Sequence, residues 1–148
     1  MGFTGDVWLI DGNNVMGAGA DGWWNDPVSA AVRTTQAIAE WCRGIDDDVT
    51  VVFDGRPERR LADLAGGNLT VDFATRSGRD AADDRIVELV AVARDDVGSE
   101  GATGTVVTSD KGLIGRLPAG VAVEGAGRFR SRIGLDSGGR RRSEPGQR

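Results

Sequence analysis

The chain has 148 residues and a formal net charge of −5, with no histidine, no tyrosine and a single cysteine. This length is sufficient for one domain with a buried core. The absence of histidine excludes Ser-His-Asp or Cys-His catalysis and His-ligated zinc, and a lone cysteine forms no internal disulfide. The N-terminus lacks the basic segment of a signal peptide, and no uncharged apolar run approaches ~20 residues. We therefore expect a cytoplasmic protein that does not enter a membrane.

The hydrophobic pattern predicts strands that alternate with helices along the chain. The predicted strands are Val7–Ile10, Val49–Phe53, Leu69–Phe73, Thr105–Thr108 and a weaker Gly120–Val123. The first predicted helix begins at Pro27 and ends at Gly44. The others span Pro57–Leu64, Ala81–Val97 and Lys111–Leu117. Such alternation indicates an α/β domain with a parallel sheet and helices on both faces, covering residues 1–135. Residues 136–148 are rich in Gly, Ser and Arg and are predicted to be a disordered tail.

Acidic residues follow three of the predicted strands. Asp11, Asp54 and Asp110 come at or just after the strand ends, and Asp83 lies in the first turn of the helix predicted from Ala81. The ligand crevice of an open parallel sheet lies beyond the carboxyl ends of its strands. The pattern therefore predicts that several carboxylates share one pocket, although no phosphate-binding glycine motif is present.

Carboxylates gathered in this way favour a bound cation. Two unit charges ~4 Å apart repel by roughly 4 kcal/mol at an effective dielectric constant of 20, and a metal ion relieves that repulsion. Hard oxygen ligands without His or Cys favour Mg²⁺ or Mn²⁺ over zinc. Such an ion activates water and stabilises charge on a phosphoryl oxygen, so the pattern favours hydrolysis of phosphodiesters.

Each candidate also has a purely structural interpretation. Asp54 before glycine is equally compatible with a turn, and Asp80 with Asp83 resembles a helix-capping pair. Asp84 is expected to be a solvated charge beside Arg85. Three further polar residues either serve a ligand or satisfy a turn or a helix cap, namely Asn14, Thr108 and Ser109.

Four segments together resemble the motifs of the NYN domain, a branch of the PIN-like nucleases. The similarity is greatest to the small bacterial single-domain group described as PIN-domain RNA-binding proteins, and it extends over residues 6 to about 135. The segments are residues 10–15 (Ile-Asp-Gly-Asn-Asn-Val), 51–55 (Val-Val-Phe-Asp-Gly), 82–86 (Ala-Asp-Asp-Arg-Ile) and 108–110 (Thr-Ser-Asp).

The resemblance implies a Rossmann-like sheet of strand order 3-2-1-4-5 and a metal-dependent endoribonuclease. It assigns the metal to Asp11, Asp83 and Asp110, identifies Asn14 with the motif asparagine, and gives Asp54 a supporting role. Asn13 stands where the domain's name has a tyrosine. The alignment leaves open which of three neighbouring acids is the ligand, namely Asp80, Asp83 or Asp84.

RNA also requires cationic contacts around such a site. We expect phosphate or substrate contacts from Arg56, Arg79, Lys111, Ser109 and Arg128, although most surface arginines are simply solvated. Arg130 and Arg132 are expected with Arg128 in the loop after the fifth strand. Trp23 and Trp24 are expected to cover the apolar ends of the helices, with base stacking as the alternative. Trp41 and Cys42 are expected in the core.

The preferred interpretation is a single-domain PIN-like endoribonuclease that cleaves single-stranded or unstructured RNA with Mg²⁺ or Mn²⁺. One alternative is a catalytically inactive NYN module that binds RNA or the ribosome. The other is an Asp-based phosphotransfer domain, in which Asp11 or Asp54 is the nucleophile. The phosphatase form of that domain expects a second aspartate where Asn13 stands.

Overall fold

The sheet has five parallel strands in the order β3-β2-β1-β4-β5, as predicted. The computed structural model describes residues 6–19, 24–75, 81–97 and 104–135. The strands are β1 (Val7–Asp11), β2 (Asp48–Asp54), β3 (Leu69–Ala74), β4 (Gly104–Val107) and β5 (Ala122–Glu124). β1 is central because it pairs with both β2 and β4.

Strand register brings the polar chain segments to one edge of the sheet. Asp11 is aligned with Val52 of β2, and Ile10 is aligned with Val107 of β4. The residues just beyond Val107 therefore lie beside Asp11, while β2 continues for two residues to Asp54. We call this the carboxyl edge, defined by Asp11, Asp54 and residues 108–110.

Helices cover both faces of the sheet. They are α1 (Gly12–Gly17), α2 (Pro27–Cys42), α3 (Arg59–Ala62), α4 (Ala81–Val97), α5 (Lys111–Ile114) and α6 (Ala126–Arg132). Buried side chains of α1, α2, α3 and α6 form one core cluster with alternate strand residues such as Ile10 and Val51. Leu9 and Val106 point the opposite way and pack with α4 and α5. This alternation is the ordinary two-residue period of a strand covered on both faces.

The ends of the predicted elements required several corrections. Helices α3 and α5 are shorter than predicted, and β5 begins two residues later than expected. Arg128, Arg130 and Arg132 lie on α6 rather than in a loop. The prediction for α4 is confirmed at both ends, because the long apolar stripe marks its extent clearly.

Helix α1 was not predicted, because its segment is short and rich in turn-forming residues. It begins at Gly12, directly after β1, with Asp11 as its N-cap. A Cβ at Gly12 would lie 2.6 Å from a ring atom of the buried Phe53. Only glycine therefore lets the chain turn into a helix this close to β2.

The predicted packing of Trp41 and Cys42 in the core is confirmed. Trp41 packs edge-on against Trp8, with ring centroids 5.0 Å apart, and also contacts Phe129. Cys42 is buried, and burial raises the pKa of its thiol to about 11, so the thiol is unreactive near neutral pH. Among the described residues, no helix is both long and apolar enough to cross a membrane.

Candidate functional site

Asp11 is a buried carboxylate at the end of the central strand. Only 5% of its surface is exposed. The Thr108 hydroxyl donates a hydrogen bond to Asp11 Oδ2 at 3.0 Å, and the backbone N–H of Asn14 donates to Oδ1 at 3.4 Å. The side chain is thus held by the segment just after β4 and by the first turn of α1.

Burial makes ionised Asp11 unfavourable. It raises the pKa of Asp11 from 3.8 to about 6, against the opposing hydrogen bonds from Thr108 and Asn14. The charges of Asp54 and Asp110 add to the rise in the pKa. The structure therefore brings these carboxylates within electrostatic range of Asp11, as expected for residues at the ends of neighbouring parallel strands.

Asp110 is tied to Asp11 through Thr108. The backbone N–H of Asp110 donates to Thr108 Oγ1 at 3.1 Å, so one hydroxyl accepts from Asp110 and donates to Asp11. Asp110 Oδ1 also accepts from Gly112 N–H at 2.9 Å and caps α5. The Asp110 side chain is exposed to solvent.

Asn14 joins α1 to the segment after β4. Its Oδ1 accepts a hydrogen bond of 2.7 Å from Ser109 N–H. Ser109 Oγ in turn accepts from Ala126 N–H at 2.8 Å, and so caps α6, whose own N-cap is Gly125. The structure therefore shows Ser109 capping a helix, Asn14 bridging two segments and Thr108 contacting Asp11, and the ligand roles of Asn14 and Ser109 stay predictions.

Asn13 is the residue at this edge whose contact sequence reasoning missed. Its Oδ1 accepts a hydrogen bond of 2.7 Å from the backbone N–H of Asp54. Asp54 Oδ1 accepts from Ala82 N–H at 2.9 Å, which fixes the first turn of α4 against β2. The signal in the sequence was that Asn13 and Asn14 are consecutive. Consecutive residues at a helix start point in different directions, so one reaches β2 and the other reaches the segment after β4.

Asp83 is half-buried in the first turn of α4. Its neighbour Asp84 forms an ion pair with Arg116 at 2.8 Å, so the expectation of a solvated charge beside Arg85 was wrong. Arg85 instead pairs with Asp72 at 2.7 Å and with Glu88 at 3.3 Å. The pairing directs Asp84 toward Arg116. Asp80 lies outside the described residues.

The acids provide the ligand type that Mg²⁺ or Mn²⁺ prefers, namely hard carboxylate oxygens. In residues 6–19, 24–75, 81–97 and 104–135, however, no group of three acidic or thiol side chains is arranged to hold a metal ion. Asp54 Oδ1 and Asp110 Oδ1 accept hydrogen bonds from helix starts. The residues thus fit a divalent cation in chemical type, but not in their present arrangement.

The predicted cationic contacts differ in their surroundings. Arg56, Lys111 and Arg128 are exposed, whereas Arg79 lies outside the described residues. Arg130 is buried, and its Nη1 donates to the carbonyl oxygen of Val15 at 3.1 Å. Arg132 forms two hydrogen bonds with Glu124. The last two arginines therefore hold α6 in place.

Comparison with known structures identifies the fold. Two crystal structures of Rae1 (YacP) from Bacillus subtilis, one of them a point mutant, match with TM-scores of 0.63 and 0.62. The chain has the fold of Rae1. Sequence identity is 25% and 24%, and the matches cover 86% of this chain and 74% and 73% of the Rae1 chains.

The Rae1 match confirms the PIN-like α/β fold and its strand order, both of which the NYN resemblance implied. It leaves the branch within that superfamily as a prediction. No protein-family model and no curated protein sequence matches the chain.

Proposed function

We propose that this protein is an endoribonuclease that hydrolyses phosphodiester bonds of single-stranded or unstructured RNA at the carboxyl edge. One observation carries the proposal. A buried aspartate, Asp11, ends the central strand of a Rae1-like sheet and lies within electrostatic range of Asp54 and Asp110. Acids so placed are costly to ionise, and perturbed carboxylates of this kind are typical of catalytic sites.

The proposed cofactor is Mg²⁺ or Mn²⁺, held by Asp11, Asp83 and Asp110. When bound, such an ion supplies an activated water and offsets negative charge on the phosphate. Because these acids form no three-ligand group in the described structure, the proposal requires the exposed Asp110 carboxylate and Asp83 to reorient toward Asp11. A cation would offset the repulsion that otherwise opposes this convergence.

The remaining polar residues position the acids and the substrate. Thr108 keeps one Asp11 oxygen hydrogen-bonded, and Asn14 holds the backbone on which Asp110 is carried. Asp54, fixed by Asn13, orients the first turn of α4 and with it Asp83. Phosphate contacts are proposed for the exposed cations around the edge, namely Arg56, Lys111 and Arg128, with Arg79 as a further candidate.

The test is cleavage of an end-labelled, unstructured RNA in Mn²⁺ or Mg²⁺, with EDTA as the blank. We expect Asp11→Asn to lower the cleavage rate at least about a hundredfold, as is usual when a group that stabilises transition-state charge is removed, while RNA binding persists. Asp84→Asn is the matched control, because Asp84 pairs with Arg116, and it should cleave like the unmodified protein. Equal loss in both variants would mean that Asp84 is also required for cleavage, and it would contradict the choice of Asp83 as the acid that α4 contributes.

A catalytically inactive RNA- or ribosome-binding module is the second candidate. The absence of a three-acid group among the described residues favours it. Isothermal titration of Mn²⁺ into the purified protein separates the two candidates independently of activity. A saturable site that disappears in Asp11→Asn supports the nuclease, whereas RNA binding without Mn²⁺ binding or cleavage supports the module.

A further inference from the structure

Trp24 is an exposed aromatic side chain beside the N-terminus of α2. Its exposed fraction is 61%, the largest among the large hydrophobic residues of the described chain. The expectation that it covers the apolar ends of the helices was therefore wrong, and Trp23 lies outside the described residues. An indole this exposed contributes little to the core and presents much of its flat aromatic surface to solvent.

Arginines lie close to the same helix start. Asp26, two residues after Trp24, caps α2 by accepting hydrogen bonds from the N–H and hydroxyl of Ser29. These hydrogen bonds lower the pKa of Asp26, and the charges of Arg60 and Arg33 lower it further. Arg33 lies on α2 about two turns beyond this cap, and Arg60 lies on α3, which packs against α2. Both guanidinium groups therefore belong to the elements that surround the segment carrying Trp24.

A short stretch of chain connects this surface to the candidate site. α2 packs against α3, and the short α3 carries the exposed Arg59 and Arg60. Arg60 follows Asp54 by six residues, which can span at most about 20 Å, and the exposed Arg56 lies between them. A chain of nucleotides seated at the carboxyl edge can therefore extend along these arginines toward Trp24.

We propose that Trp24, Arg33 and Arg60 form a stacking platform for an unpaired base of single-stranded RNA. The indole stacks on the base, and the two guanidinium groups contact the flanking phosphates. Flat aromatic surfaces beside positive charge bind single strands with little sequence preference, because every base has a stacking face. The inference rests on the proposed function for its ligand, single-stranded RNA, and adds that at least one base of that strand is unstacked and held on the indole.

The experiment compares two probes that share a backbone. One is a fluorescent dodecamer of uridylate, and the other is the same dodecamer with abasic residues. Binding of the full chain is measured by anisotropy in EDTA, which prevents cleavage. We expect Trp24→Ala to lose at least about fivefold in affinity for the uridylate probe and less than about twofold for the abasic probe. Trp24→Phe should retain most of the affinity for uridylate.

Val92→Ala is the matched control, because Val92 is exposed on α4, across the sheet from α2. Thermal unfolding of each variant verifies that the fold is intact. The platform is excluded if Trp24→Ala binds uridylate like the unmodified chain, if it loses equally on both probes, or if the unmodified chain binds neither probe. Cleavage is assayed separately, so an RNA-binding chain that cuts nothing would refute the nuclease and leave the platform standing.

Discussion

The two halves of the carboxyl edge are built differently. On the β1–β4 side, Asp11 and Thr108 are buried, with exposed fractions of 5% and 0%, and hydrogen bonds run on from them to Asp110. On the β2–α4 side, Asp54 is exposed and is held by two hydrogen bonds, one from its own N–H to Asn13 and one from Ala82. The first half is a buried polar network, whereas the second is a clamp that water can reach.

This difference predicts how each half responds to mutation. A hydrogen bond that water cannot replace costs more to lose than one at the surface, since the stranded partner stays desolvated. Changes in the β1–β4 half should therefore alter the free energy of unfolding. Changes in the β2–α4 half should alter the placement of α4, and hence activity, with little effect on stability.

The largest expected effect on stability is the pH dependence contributed by Asp11. Its pKa is about 6 in the folded protein against an ordinary value of 3.8, so the folded state binds this proton more tightly than the unfolded chain. The contribution of Asp11 to the free energy of unfolding is therefore greatest below about pH 4 and declines by about 3 kcal/mol as the pH rises through about 6.

Asp11→Asn lacks this decline. Urea unfolding of both proteins at several pH values, without divalent cations, should show the variant gaining stability relative to the unmodified chain as the pH rises. A difference that stays constant from about pH 4 to pH 7 would mean that Asp11 is not buried as described.

Thr108→Val tests the hydroxyl that links Asp11 to Asp110. The substitution keeps the shape but removes the donor to Asp11 and the acceptor for Asp110 N–H, so we expect a loss of about 1–3 kcal/mol. Thr35→Val is the matched control, because the buried Thr35 hydroxyl has no hydrogen-bond partner in the described part of the chain. It should be neutral or slightly stabilising in urea unfolding, and equal losses would contradict the network.

Asn13→Ala tests the exposed half of the edge. Removing the acceptor for Asp54 N–H should cost less than about 1 kcal/mol of stability but lower kcat about tenfold, the size expected for a group that orients a catalytic residue. Asn68→Ala is the control for this prediction and should have the opposite effects on stability and kcat. Asn68 Nδ2 donates to the carbonyls of Cys42, Ile45 and Asp47 far from the site, so stability should fall while kcat is retained.

The smallest expected effect concerns the rim of the site. Arg128→Ala should weaken RNA binding a few-fold and reduce the slope of log affinity against log salt by about 0.7, the loss of one phosphate contact on a single strand. Arg43→Ala is the control, since Arg43 pairs with Glu40 at the end of α2. An unchanged salt slope in Arg128→Ala would mean that Arg128 on α6 makes no phosphate contact with the RNA.

The sequence was sufficient for elements whose signal is local. The apolar runs of the strands and the long stripe of α4 are set by residue type and period, and both agree with the structure. Short helices such as α1 and α6 lie below the length at which a helix is stable alone. Tertiary packing decides that they form, so their sequences carried too little signal.

The candidate site divides in the same way. Asp11, Asp54 and Asp110 were predictable as neighbours, because parallel strands bring their carboxyl ends to one edge. Three other contacts join residues that are distant in sequence. They are the hydrogen bond from Asp54 N–H to Asn13, the ion pair between Asp84 and Arg116, and the hydrogen bond from Arg130 to the Val15 carbonyl. Such contacts depend on side-chain direction and on distances set by the whole fold, which a pattern along the chain does not contain.

By itself, then, the sequence determined a parallel α/β sheet with acids at the strand ends, because burial period and turn chemistry act over a few residues. Only the tertiary structure decided which of those acids is buried, which caps a helix and which arginines serve the core. Desolvation and hydrogen bonding are settled by neighbours in space. For Asp11, that means a pKa that burial raises and that the hydrogen bond from the Thr108 hydroxyl partly lowers again.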